Sequence, residues 1–595
     1  MGEPLLISLC MIVKDEGATL ARCLSSVQGA VDETIVVDTG STDDSAEIAK
    51  RYGAVVVREQ WKGDFAAARN AGVCLAQGRW ILFLDGDEAL ESSQHAQLRQ
   101  LATRDDYEGF FLQVRNYVGN GEQGATVNPI LRLFRNRPEY RFQGRIHEQI
   151  AASILESRPG ASFHLTELVI HHYGYQREYI EAKDKVRRNM DLLEAALQAE
   201  PDHAFYRYNL GVEYLRSGRP EEALEHFARA SRLVDPERTS YAHLLSKYEI
   251  RCKQALGRWE EAYVQTAGAI RLYPGYTDLL QYKALCERAL GRQAEAIGTL
   301  IEAMKQGVPQ PIYHTEEGIG TYQTAYLLGE LLEEYGHYEE ALLAYKKALG
   351  YRSSLTPPLY RMFRLLRVAG REKEIPQWLK TSFRLASPEA WAKVVAILLQ
   401  CRCGRAAAAI LQEKQGRKLP EGFRLLAEAE AELQRGRLDA ARRGLRSSGR
   451  KGQGARDSAL ASAAIAEHLR WLDGDVKEPW SDRITIALAS SSQGSEQPIK
   501  LTGDELSGGV WPQLQRLLEG SYSCGKRQEG LHVLHLWQRT LESPEATPAG
   551  ADALVHGLSA IADRHLALLT SSDFGKRHKE ALTAARLRLP HEDGM

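Results

Sequence analysis

The sequence predicts an α/β domain built on a parallel sheet, followed by an all-α solenoid of helical repeats. Three observations carry that prediction. Strand and helix patterns alternate over the first 90 residues, glycines recur at a near-constant interval from Gly218 to Gly436, and no window is apolar enough for a membrane helix. At 595 residues the chain exceeds what one core organises, so several domains or a repeat array are expected. Its 44% hydrophobic and 26% charged residues exclude a largely disordered or collagen-like polypeptide. The formal net charge of -2 argues against a strongly basic nucleic-acid binder. Eight cysteines without a CxxC spacing read as reduced thiols.

Leu6 to Val13 is a short apolar run closed by Lys14-Asp15-Glu16, which suits a buried first strand. It lacks the basic flank and cleavage site of a signal peptide, and Leu6 stands where myristoylation wants Ser or Thr. The protein is therefore expected to be soluble and cytoplasmic. Leu20, Leu24 and Val27 recur at helical spacing, giving a helix over residues 17–28. Thr34 to Val37 forms a second strand ending at Asp38, and Gly40 to Asp43 supplies a turn and helix cap. Ala54 to Val57 is a third strand. Asp64 can cap a helix running to Ala76, with Gly78 suited to stop it. Trp80 to Leu84 is a fourth strand, which delivers Asp85-Gly86-Asp87 at its carboxyl end.

In a parallel sheet with helices on both faces, ligands bind beyond the carboxyl ends of the strands. Three such ends here carry acids: Asp15 and Glu16, Asp38, then Asp85 and Asp87. Neither GxGxxG nor a P-loop follows the first strand, so a phosphate needs another counter-charge. Two carboxylates spaced i, i+2 can hold a divalent cation that bridges two phosphate oxygens, with Gly86 allowing a sharp turn between them. The pattern points to a metal-dependent enzyme acting on a nucleotide diphosphate.

Four pieces then stand in a specific order: Ile12-Val13-Lys14-Asp15-Glu16, Ile35-Val36-Val37-Asp38-Thr39-Gly40-Ser41-Thr42-Asp43, Asp64-Phe65-Ala66-Ala67-Ala68-Arg69-Asn70, and Leu82-Phe83-Leu84-Asp85-Gly86-Asp87-Glu88. Over about the first 180 residues the chain resembles the family 2 glycosyltransferases with the GT-A (Rossmann-like) fold. The resemblance implies a nucleotide-sugar donor, with a UDP-sugar favoured, and inversion at the anomeric carbon. It implies that Glu16 and Asp38 hold the nucleoside, Arg69 lies along the diphosphate, and Asp85 approaches the ribose and metal. Asp87 would ligate Mn2+ or Mg2+. The first motif has Asp15 where relatives often carry Asn.

Leu131-Arg132-Leu133-Phe134-Arg135-Asn136, Gly144-Arg145-Ile146-His147-Glu148 and Ile170-His171-His172-Tyr173-Gly174-Tyr175 resemble the subgroup joined to tetratricopeptide repeats, which includes peptide and protein glycosyltransferases. By that likeness His172 completes the metal site, with His171 as the alternative register. Glu148 is the expected catalytic base and His147 its neighbour candidate; the competing reading is that the pair orders a loop.

Beyond residue 195 helix-turn-helix spacing takes over. Leu210-Gly211, Tyr214, Gly218, Ala223, Phe227 and Ala230 match the tetratricopeptide pattern. Glycines expected to end the first helix of each unit stand at 218, 257, 291, 336, 370, 404 and 436. Five residues after them come Ala223, Ala262, Ala296, Ala341, Ile375, Ala409 and Ala441. The long step containing Gly307 to Gly320 predicts an insertion, and Arg207 replaces an expected aromatic. The expected domains are 1–195 (catalytic), 196–450 (repeats) and 451–595 (a helical region without a chemical motif).

The leading expectation is a metal-dependent inverting enzyme that glycosylates a protein or peptide presented by the repeats, such as flagellin or a ribosomally made peptide. Neither nucleic acid nor membrane is an expected partner. The array could instead serve dimerisation. Two alternatives remain at this stage: a polysaccharide or lipid-linked acceptor, and a non-catalytic nucleotide-sugar-binding scaffold.

Overall fold

A computed structural model of the chain describes residues 5–117, 125–173, 179–383, 385 and 387–451. The chain divides into two compact units between Leu331 and Leu332. Of the expected C-terminal region 451–595, residues 452–595 lie outside the described residues, as do Gly174 and Tyr175.

The first unit opens with β1 (Ile7–Val13), α1 (Leu20–Ser26), β2 (Glu33–Asp38), α2 (Ser45–Arg51), β3 (Val55–Arg58), α3 (Phe65–Val73) and β4 (Trp80–Phe83). It continues through β5 (Glu88–Leu90), α4 (His95–Ala102), β6 (Gly109–Tyr117), β7 (Ala125–Arg135), α5 (Ala151–Ser157) and β8 (Phe163–His172). The strand order is β3-β2-β1-β4-β7-β6-β8-β5. The first four strands are parallel, as expected. Beyond them the sheet is mixed: β7 runs antiparallel to β4 and β6, and β5 antiparallel to β8. No helical pattern separates β6 from β7, and consecutive strands without a crossover pair antiparallel.

Successive side chains of each strand serve opposite layers. Leu9, Met11, Trp80 and Leu82 pack with Leu20, Leu24, Ile48 and Leu98 on one face. Cys10, Ile81 and Phe83 pack with Ala66, Val73, Tyr140 and Ile154 on the other. Asp64 caps α3 as expected, its Oδ1 accepting from the Ala67 amide at 2.9 Å. The expected stop at Gly78 is corrected, because α3 ends at Val73 with Cys74 as its cap. Gly78 instead lies so close to β1 that a Cβ would meet the Ser8 amide nitrogen at 2.6 Å.

The same unit carries α6 (Tyr179–Ala199) and the repeat pairs α7 (Ala204–Arg216) with α8 (Pro220–Leu233), α9 (Ala242–Ala255) with α10 (Trp259–Leu272), and α11 (Thr277–Ala289) with α12 (Gln293–Gln306). Ala223, Ala262 and Ala296 are fully buried where the helices of each pair touch. The expected insertion is real and returns to the sheet. It forms β9 (Thr315–Glu316), antiparallel to β7 through Thr126↔Glu316 and Val127↔Thr315. The array resumes with α13 (Tyr322–Glu334).

The second unit contains α14 (Tyr338–Tyr351), α15 (Pro357–Val368), α16 (Ile375–Ser382), α17 (Pro388–Gln400), α18 (Gly404–Gln412), α19 (Glu421–Gln434) and α20 (Leu438–Lys451). Here one expected boundary is wrong. Gly404 does not end a first helix; α17 ends at Gln400, and Arg402 takes the left-handed turn at φ 62°. Arg402 stays there because its guanidinium holds buried Glu430 at 2.7 Å. The register therefore shifts: Ala407 is buried and Ala409 is exposed. Among the described residues no helix is long and apolar enough to cross a membrane.

Candidate functional site

The carboxyl ends of β1 and β2 are clasped together by their own loops. Asp15 adopts φ 54°, and its Oδ1 accepts from the Thr42 amide at 2.7 Å. The Asp15 and Glu16 amides donate to Ser41 Oγ and Ser45 Oγ at 3.0 and 2.8 Å. The Thr42 amide holds the Asp15 carboxyl below its ordinary range. Asp38, almost fully buried, accepts at Oδ1 from the amides of Gly40 and Ser41. Glu16 accepts from Thr19 Oγ1 at 2.8 Å, and its stem lies across Gly86. That contact corrects the reason for Gly86. Its backbone needs no left-handed turn, but a Cβ there would stand 2.9 Å from Glu16 Cγ.

At the end of β4 a dense ion-pair cluster surrounds Asp85. Its two carboxylate oxygens lie 3.2 Å from Arg69 and 3.2 Å from Arg132. Arg132 also holds Glu88 at 2.5 Å, and Arg69 Nε pairs with Glu148. Arg69 lies over the Phe83 ring at 3.7 Å, so the aromatic face helps to fix its plane. Burial opposes ionisation of Asp85, yet Arg69 and Arg132 outweigh it and hold the carboxyl well below the usual range. Burial dominates at Glu88 and pushes its carboxyl up to about 7, against the pull of Arg132. Arg69 Nη1 and Arg132 Nε are buried donors without a hydrogen-bond partner among the described residues. A buried donor left unpaired is costly, so both suit an anion that arrives with the ligand.

The two histidines of β8 point to different partners. His172 Nε2 faces Asp87 Oδ2 at 3.3 Å, and its Nδ1 contacts Asn116 Oδ1 at 2.7 Å. His171 instead meets Glu91 at 3.1 Å and the Tyr117 hydroxyl at 2.8 Å. Burial works to lower the His172 pKa, but Asp87, Glu88 and Asp85 together raise it.

Glu148 sits beside Asp85 through their shared Arg69. His147, at φ 54°, turns into the protein, and burial pushes its pKa down to about 4 with Arg216 of α7 adding to the effect. The loop that carries them is pinned on the repeats, where Ile146 packs with Leu193, Tyr206 and Leu210.

Among the described residues no group of three or more metal-ligating side chains is assembled. Asp85, expected among the ligands, faces arginines instead. Asp87 and His172 do fit a divalent cation. Their 3.3 Å separation approaches the roughly 3 Å between neighbouring ligands of an octahedral site with bonds of about 2.1 Å. An oxygen and an imidazole nitrogen also suit Mn2+, and such ions take their remaining ligands from substrate phosphates and water.

Sequence reasoning brought Arg69, Asp85, Glu148, Asp87 and His172 into one site but missed Arg132, Glu88 and Asn116. Arg132 had a readable signal: a charge between Leu131 and Leu133 in an otherwise apolar run.

The family described as glycosyl transferase family 2 matches residues 8–155. A TPR repeat-containing protein of Synechococcus elongatus is 31% identical over 322 residues, covering 51% of this chain and 75% of the relative. The SPbeta prophage-derived glycosyltransferase SunS of Bacillus subtilis is 29% identical over 226 residues, covering 38% of this chain; the match spans about half of that relative, 53%. Among solved structures, S. aureus TarS 1-349 in complex with UDP-GlcNAc has 14% identity and a TM-score of 0.28, over 44% of this chain and 91% of TarS 1-349. Glucosyl-3-phosphoglycerate synthase from Mycobacterium tuberculosis, in complex with Mn2+, UDP and glucosyl-3-phosphoglycerate, has 17% identity and a TM-score of 0.23, over 30% and 74% of the two chains. At those TM-scores neither structural likeness bears on what this chain does.

Proposed function

The chain belongs to the family 2 glycosyltransferases that carry tetratricopeptide repeats, and on that premise we propose that it moves a sugar from a nucleotide-sugar, with UDP as the favoured nucleotide, onto a protein or peptide in the cytoplasm. The observation that carries this reading is the Asp87–His172 pair beside an arginine-held Asp85, at the carboxyl end of β4.

Each residue has a role that follows from its surroundings. Asp38 and Glu16 line the end of the first two strands, where a nucleoside would lie. Asp87 and His172 would hold Mn2+ or Mg2+. A bound divalent ion would disperse the charge that develops on the departing diphosphate. Arg69 and Arg132 bring two further cations, and their unpaired N–H groups are positioned to donate to phosphate oxygens. Asp85, kept ionised by those arginines, orients them and approaches the ribose. Inversion by single displacement needs a base for the acceptor proton. Glu148 takes that role in this reading, oriented by Arg69, while His147, turned into the protein, serves to order the loop.

The repeats favour a polypeptide acceptor for a reason seen in the chain itself. Helix α9 and the start of α11 already hold the inserted segment at β9. His243 Nε2 accepts from the His314 amide at 3.2 Å, Tyr276 donates to the His314 carbonyl at 2.7 Å, and Thr315 donates to Asp278 at 2.7 Å. These side chains hold backbone of the chain itself, which supports reading the array as a surface for polypeptide.

Incubation with a panel of nucleotide-sugars and candidate acceptor proteins, read by intact mass, tests the proposal. One hexose or N-acetylhexosamine gained on a protein is the expected result. Sugar found on lipid carrier or polysaccharide but never on protein contradicts it.

A further inference from the structure

We propose that Asn116 is a positioning residue that fixes the tautomer and orientation of His172, so that Nε2 is the nitrogen presented beside Asp87. The proposal rests on the reading that Asp87 and His172 hold the divalent ion.

The Asn116 amide is oriented by its donor end. Its Nδ2 lies 3.4 Å from the Val114 carbonyl and 3.5 Å from the Thr126 carbonyl. Carbonyl oxygens can only accept, so the donor end of the amide belongs on that side. Oδ1 therefore faces His172, and at 2.7 Å it requires a proton on Nδ1. A neutral ring so held is the Nδ1–H tautomer, and its lone pair sits on Nε2. That lone pair then faces a carboxylate oxygen, Asp87 Oδ2, at 3.3 Å. With the ring neutral, two acceptors face one another there, and either a second ring proton or a bound divalent ion satisfies both. A second shell that fixes one imidazole nitrogen as donor and leaves the other as ligand is a recurrent device of metal sites.

Asn116 is itself held from both sides. It pairs with His172 across β6 and β8 and with Thr126 across β6 and β7. Thr126 in turn pairs with Glu316 of the inserted strand β9. Glu316 is tied to the repeats by the Tyr282 hydroxyl at 3.0 Å and by Arg251 at 3.7 Å. The repeat array thus braces the strand pair that orients the histidine.

Two readouts test the proposal on the full-length protein. The first is the two-bond proton–nitrogen spectrum of histidine-labelled, metal-free protein at pH 8.5, with the His172 signals assigned by their loss in His172→Gln. The wild type is expected to show a protonated Nδ1 and a bare Nε2. Asn116→Ala should lose that preference, and Asn116→Asp, which keeps the acceptor, should restore it. The second is Mn2+ affinity by electron paramagnetic resonance. Asn116→Ala should weaken it by roughly 10–100-fold, and Asn116→Asp should recover it. Melting curves from circular dichroism identify any variant that fails to fold.

A bare Nδ1 in the wild type overturns the proposal. So does Mn2+ affinity unchanged in Asn116→Ala while His172→Gln lowers it. Should His172→Gln also leave Mn2+ binding unchanged, the metal assignment falls, and the tautomer spectrum still decides the role of Asn116.

Discussion

Arg132 shows how much one buried charge can carry. It joins Asp85 and Glu88 from a strand interior, and its removal would leave buried Glu88 without its cation and Asp85 with Arg69 alone. Breaking a buried pair from one side typically costs about 3–5 kcal/mol. Arg132→Leu is therefore expected to lower unfolding free energy by about that amount in urea titration, with Arg132→Lys in between. Wild-type stability for Arg132→Leu would show that Glu88 is neutral and that the pair matters little. At this scale the sequence was legible wherever a motif is local. Asp85, Gly86 and Asp87 are adjacent, and the apolar run before them says where they must lie. The Arg69–Glu148 pair joins residues far apart in sequence, and no pattern in either segment announces it. Resemblance named both residues but not their contact.

The inserted strand β9 is the element with the clearest consequence. Gly320 adopts φ 73°, and a Cβ there would stand 1.9 Å from the Gly307 carbonyl oxygen. Backbone cannot yield as a side chain can, so Gly320→Ala should displace the insertion. The Glu317 amide donates to the Ala125 carbonyl, and its hydrogen exchange should quicken in the variant while β1 and β4 keep their protection. Unchanged exchange at Glu317 would show that β9 is not held from this turn. Element by element, the sequence was most readable where strands are fully buried. Such strands are short apolar runs, and β1 and β4 were found nearly to the residue, as were β2 and the partly exposed edge strand β3 from their valine runs. By contrast, β6 mixes Gln113, Arg115 and Asn116 with its apolar residues, and β5 has only three residues, too few for a period to emerge. In the repeats, glycine marks the left-handed turn at Gly218, Gly257 and Gly291, but Arg402 takes that position through its pair with Glu430. The glycine rule then slipped by two residues.

For the molecule as a whole, a formal charge of -2 conceals local opposites: buried arginines sit within a group of acids at the site. The near-neutral total gave no hint of them. Three histidines of the first unit, His243 buried and His147 and His314 half-buried, also bear on its acid stability. Burial pushes His147 and His243 down to about 4, and His314 well below its ordinary value. Because their folded pKa values lie below the unfolded value near 6.5, the stability they confer is complete above about pH 6.5. It is lost as pH falls toward 4, since only the unfolded chain takes up the protons. His147 and His243 would each account for about 3 kcal/mol across that window. Melting followed by circular dichroism should drop steeply between pH 6.5 and 4.5, and His243→Gln should flatten the drop. A melting temperature constant over that range would mean that these rings meet water.

In the proposed reaction Asp87 is the carboxylate that would join a divalent ion to the donor. The most direct test is UDP release from a UDP-sugar by wild type and Asp87→Ala, each with Mn2+ and with EDTA. The expected result is Mn2+-dependent release by the wild type and none by a folded Asp87→Ala. Equal release by both proteins, undiminished by EDTA, would contradict it.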